Sequence, residues 1–94
     1  MYRIKLSEKF RRKYNQLIKN NEKLKEKINS ALEKLKKDPF QKSLSTHKVH
    51  VSQFGEIFSS RVTGDLRILW SIENNICIIL LLDIGGHSGT NSVY

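Results

Sequence analysis
At 94 residues, with 38% hydrophobic and 28% charged side chains, the chain has room for one domain with a modest core over residues 1–94. That composition excludes a disordered polymer, and the longest apolar run is too short for a membrane span. Seventeen Lys+Arg against nine Asp+Glu leave a net charge of +8, a field that favours nucleic acid, ribosome, anionic membrane or an acidic protein as partner. A lysine-rich surface without such a partner carries the same charge, so charge alone names none. Met1-Tyr2-Arg3-Ile4 has no secretory layout, and the single Cys77 cannot close an internal disulfide; both fit a cytoplasmic protein. Cys77 lies inside an apolar run, which predicts a buried structural residue rather than a metal ligand.

In chain order, Tyr2–Leu6 alternates and reads as a short strand, with Ile4 and Leu6 or Tyr2 inward. Ser7 can cap a helix whose apolar face is Phe10, Tyr14, Leu17 and Ile18, with Glu8 at its positive end. Asn20-Asn21 interrupts that pattern, and Asn21 can cap a second helix carrying Leu24, Ile28, Ala31, Leu32 and Leu35. Asp38-Pro39 ends it, because the residue before proline is pushed out of helical geometry. The result is a helical hairpin whose basic outer face is either a solvated surface or a binding surface. His47–Val51 reads as an edge strand with the histidines and Lys48 on opposite faces. His47 and His50 lack a nearby carboxylate or thiolate to complete a metal site, so they read as surface histidines.

Glu56–Val62 and Leu66–Ile72 are two strands around Thr63-Gly64-Asp65. A three-residue loop, with a residue in the left-handed conformation, sets Arg61 opposite Arg67. Phe58, Ser60, Val62, Leu66, Ile68, Trp70 and Ile72 then share the face that packs on the helices. A two-residue loop would mix Arg61 into the apolar side. Opposed arginines repel, and either a phosphate or partner carboxylate between them, or Asp65, Asp83 or Glu56, must offset this. After a turn at Glu73-Asn74-Asn75, Ile76–Ile84 reads as a buried strand. Asp83–Tyr94 then turns glycine-rich and polar; a rigid strand ending in glycines and His87 can aim a titratable side chain. The fold class is α+β: an N-terminal strand, a two-helix hairpin, then a largely antiparallel sheet of three or four strands packed on the helices.

The run Arg61-Val-Thr-Gly-Asp-Leu-Arg67-Ile-Leu-Trp70, the apolar strand, Asp83-Ile-Gly-Gly-His87 and the closing Val93-Tyr94 resemble the RelE/ParE superfamily of bacterial type II toxins. Within it the likeness is greatest to the RelE/StbE and YafQ-like mRNA interferases. The resemblance covers nearly the whole chain. It implies a cytoplasmic toxin neutralised by a cognate antitoxin protein, with mRNA as substrate and the ribosome as partner, and no membrane, metal or cofactor. It matches Arg67 to the arginine after the hairpin turn, His87 to a basic position after the glycine, and Tyr94 to the closing tyrosine. Arg61 matches a basic position of the preceding strand with a one-residue gap, and His47 and Lys48 lie in a segment that supplies further basic residues in some members.

The residue chemistry agrees with that match. Metal-free RNA cleavage needs a base for the 2′-hydroxyl, an acid for the 5′-oxygen and cations on the phosphate. His87 suits either proton role near neutrality, Arg61 and Arg67 offer cationic forks, and Tyr94 can stack on a base or orient a phosphate. His87 as a plain loop residue and Tyr94 as a terminal packing residue stay open. Ser59 and Ser60 stand where the ribosome-dependent archetype has lysines, so the partner of His87 is unassigned. The competing functions are a ParE-like DNA gyrase inhibitor without ribonuclease activity, and an inactive antitoxin-binding module.

Overall fold
The computed structural model describes residues 1–73 and 77–86. Its elements are β1 (Arg3–Leu6), α1 (Glu8–Ile18), α2 (Glu22–Lys37), a 3-10 turn at Lys42–Leu44, β2 (His47–Val51), β3 (Gly55–Arg61), β4 (Leu66–Ile72) and β5 (Ile78–Gly86). The α+β expectation holds. The last four strands are antiparallel neighbours, and β1 joins them by pairing parallel with β5, giving one sheet in the order β1-β5-β4-β3-β2. None of the described helices is long and apolar enough to cross a membrane.

Local chemistry sets the helix ends. Ser7 accepts from the Phe10 amide at 3.1 Å, and Asn21 accepts from the Leu24 amide at 3.2 Å. Asn20 takes the left-handed conformation, φ 58°, that lets the chain reverse between the helices. The apolar stripes of α1 and α2 meet the sheet in one core, where Phe10, Ile28, Ala31 and Leu35 pack with Ile68, Trp70, Ile79, Leu81 and Ile84. Of the residues expected inward on the first strand, Tyr2 and Ile4 pack against this core, whereas Leu6 is 39% exposed, at the end of an edge strand where Ser7 already turns the chain into α1. Cys77 is also exposed, not buried, because it precedes the first residue of β5 and lies by Met1, Arg3 and Ile78 at the sheet's end.

A chain of two hydroxyls, the buried Ser60 and the half-buried Thr46, ties the core to the segment after α2. The Trp70 indole donates to Ser60 Oγ at 2.8 Å, Ser60 Oγ lies 2.6 Å from Thr46 Oγ1, and Thr46 donates to the Pro39 carbonyl at 2.6 Å. The Thr46 proton is spent on Pro39, so Ser60 is the donor to Thr46. Ser60→Ala strands the buried indole donor and should cost about 1–3 kcal/mol, readable as a lower urea midpoint at unchanged m-value. An unchanged midpoint would show that the relay contributes nothing.

Candidate functional site
Cross-strand pairing decides which side chains share a face. Arg61 pairs with Arg67 and Arg67 with Gly85; beside them runs a second row, His47–Ser59–Leu69–Asp83. Both rows lie on the face turned away from the helical core. That face has an apolar base of Ile57 and Leu69 with Val49, Val51, Phe54 and Leu82. The arginine register is the expected one, but the turn achieves it differently. None of residues 63–65 has a positive φ; instead Thr63 Oγ1 accepts from the Leu66 amide at 3.0 Å and the Asp65 amide at 3.3 Å. A hydroxyl replaces the left-handed residue.

The same turn fixes Arg67. Its Nη1 donates to the Thr63 carbonyl at 2.9 Å and the Leu66 carbonyl at 3.3 Å, which locks the planar guanidinium and leaves its other N–H groups to a ligand. Arg61 is exposed. Asp83, one of the acids that could have offset this pair, is engaged elsewhere. Its carboxylate, 4% exposed, lies 3.2 Å from Lys9 and 2.9 Å from Lys13, and accepts from the Ile84 amide at 2.8 Å. Lys9 also donates to Gln53 at 2.8 Å and lies 5.5 Å from the centre of the Phe54 ring. Gly85 has no side chain, so β5 places nothing beside Arg67 in that row. The arrangement can hold an anion at the fixed Arg67 guanidinium, with the exposed Arg61 opposite it on the ladder and an open position on one side.

The other candidates separate. His47 stands one row from Arg61 on the same face, its Nδ1 3.0 Å from the Ser45 carbonyl. Lys48 pairs with Phe58 and so projects from the opposite face, away from the arginines. His50 shares the side of Lys48, not that of His47: positions three apart on a strand alternate, so the two rings cannot converge on one ion. His87 and Tyr94 lie outside the described residues; the described part of β5 ends at Gly86, paired with Leu66 at the start of β4.

Sequence reasoning missed three features of this region. Lys9 and Lys13 were readable, since a lone acid in an apolar strand requires cations, and lysines four apart on α1 share a side. The role of Thr63 was less visible, because glycine next to it offered a simpler turn. A cleft of about 470 Å³ between α2, the 3-10 turn and the β3–β4 turn was not visible at all; Lys27, Lys34, Arg61 and Thr63 line it.

No protein-family model matches the sequence, and no curated protein matches it. Solved structures do. A YoeB/ParE toxin from Agrobacterium tumefaciens superposes with a TM-score of 0.73 at 16% identity, over 92% of this chain and 99% of that one. The YoeB-YefM complex from Staphylococcus aureus gives 0.71 at 20% identity, over 94% and 99%. The archaeal RelE-RelB complex from Pyrococcus horikoshii gives 0.71 at 17% identity, over 95% and 98%. The chain has the fold of the RelE/ParE superfamily toxins.

Proposed function
We propose that a chain with this fold and this arginine pair is the toxin of a type II toxin–antitoxin system, an endoribonuclease that cleaves mRNA on the ribosome and so inhibits translation. The observation that carries the reading is Arg67, locked by two turn carbonyls directly opposite Arg61, in a row where β5 places Gly85. Two arginines at opposed positions of one ladder favour an anion between them, and a phosphodiester gaining charge in its transition state fits that need. His87, next in sequence after Gly86, takes the acid or base role, His47 lies within the same corner as a substrate contact, and Tyr94 contacts the substrate. Lys48, on the other face, serves RNA binding outside the reacting phosphate. The reaction uses the 2′-hydroxyl as nucleophile and needs no metal.

The cognate antitoxin is an acidic protein that covers the basic surface, as charge complementarity favours; the similar structures include a YoeB-YefM complex and a RelE-RelB complex. Expression of the chain in cells tests the reading. Translation should stop within minutes, and primer extension should find new 5′ ends inside coding regions, which vanish with His87→Ala. Double-strand DNA breaks with intact transcripts would establish the gyrase-inhibitor function instead.

A further inference from the structure
We infer that the cleft between α2 and the β3–β4 turn binds the phosphodiester backbone of single-stranded RNA, continuing the strand that lies on Arg61 and Arg67. This rests on the proposed function for its substrate class, and its test does not depend on cleavage. Arg61 belongs to both places: it pairs with Arg67 on the sheet and also lines the cleft. From there the lining passes to Lys27 and Lys34 on α2, with Ser30 and Ser43 as further hydrogen-bonding groups.

Three observations favour a polyanion. Lys27 and Lys34 are seven residues apart, two helical turns and about 10 Å along the axis, so they share a side and suit an extended chain better than one phosphate. The ion pairs of Lys9 and Lys13 with Asp83, and of Lys36 with Glu33, draw on none of the cleft's cations. Glu26 is the one acid in the lining. Thr63 Oγ1 already accepts from two backbone amides, so its remaining O–H is a donor at the cleft's edge. At about 470 Å³ the space is within the range of ligand sites, about 300–1,000 Å³. Its apolar part, Ala31, Leu44 and Val62, contains no aromatic ring and is too small to anchor an amphipathic helix, which argues against an acidic protein segment here.

The test is the salt dependence of binding to a short fluorescent 2′-O-methyl RNA, which cannot be cleaved because its nucleophile is blocked. Lys27→Ala with Lys34→Ala should weaken binding by about tenfold or more at about 50 mM salt and flatten the slope of log K against log salt by about 1.4. Both side chains are exposed, so the circular dichroism should not change. A control, Lys23→Ala with Lys37→Ala, removes the same charge from α2 outside the cleft and should change affinity about threefold or less. Equal losses in the two double variants would overturn the inference, leaving only a general field. Unaltered affinity and slope in the cleft variant would also overturn it, as would a cleft that loses polyglutamate binding while keeping RNA. A cleft variant that loses RNA while the parent proves unable to cut mRNA would uphold the cleft and remove the proposed nuclease.

Discussion

Arg67→Ala should lower the single-turnover rate of mRNA cleavage by about 10²–10³-fold, the usual cost of removing one fixed charge donor from a developing oxyanion. The effect should fall on the chemical step more than on RNA affinity, because general electrostatic attraction is spread over many cations of a +8 chain. Arg67→Lys should recover little of the rate. A lysine can keep the charge, but it cannot hold two turn carbonyls and still present a planar fork to phosphate oxygens. The variant remains folded in this account, since the turn keeps its Thr63 hydroxyl bonds and the Val62 amide still donates to the Leu66 carbonyl at 2.9 Å. Wild-type cutting by Arg67→Ala would remove the arginine pair from the chemistry.

Asp83→Asn should be the most damaging conservative change to stability. Breaking a buried ion pair costs about 3–5 kcal/mol when the orphaned charge stays buried. Here the orphans would be Lys9 and Lys13, which are 31% and 24% exposed and can swing partly into water, so about 2–3 kcal/mol is expected. In a domain of this size that lowers the thermal midpoint by about 10 °C or more. Lys13→Met alone should cost less, because Asp83 keeps Lys9 and the Ile84 amide. Combining Lys13→Met with Asp83→Asn should cost less than the sum of the two changes, which a double-mutant cycle measures. Strict additivity would mean that the two residues do not interact, whatever their separation in the folded chain.

The helices and the arginine register were legible because each rests on short-range chemistry. Ser7 and Asn21 are caps whose partners lie three residues away, and Asp38-Pro39 is a stop that needs no tertiary information. Arg61 opposite Arg67 followed from loop length and from keeping charge out of the core. Most of what was not legible lies in what adjoins an element from far along the chain. Cys77 sits in an apolar run, yet it lies just before β5 at the sheet's end, where it is exposed. Ser60 was expected among apolar neighbours and is there, but its purpose is to receive the Trp70 indole and pass a bond to Thr46. Asp83 had been a possible counterion for the arginines; α1 supplies two lysines first. His50 was misplaced by arithmetic alone, since three steps along a strand reverse the face.

The chemistry assigned to the arginine face is tested most directly by the ends of the RNA it leaves. Attack by a 2′-hydroxyl on its own phosphate releases a 5′-hydroxyl and leaves a 2′,3′-cyclic phosphate, whereas a metal-activated water would place phosphate on one fragment and hydroxyls on the other without a cyclic product. Programmed ribosomes should be incubated with the purified chain and the downstream fragment offered directly to a polynucleotide kinase. The account predicts immediate labelling of the 5′ end and a cyclic phosphate on the upstream fragment, both lost with Arg67→Ala. A 5′-phosphate, or mRNA that stays whole, would contradict it.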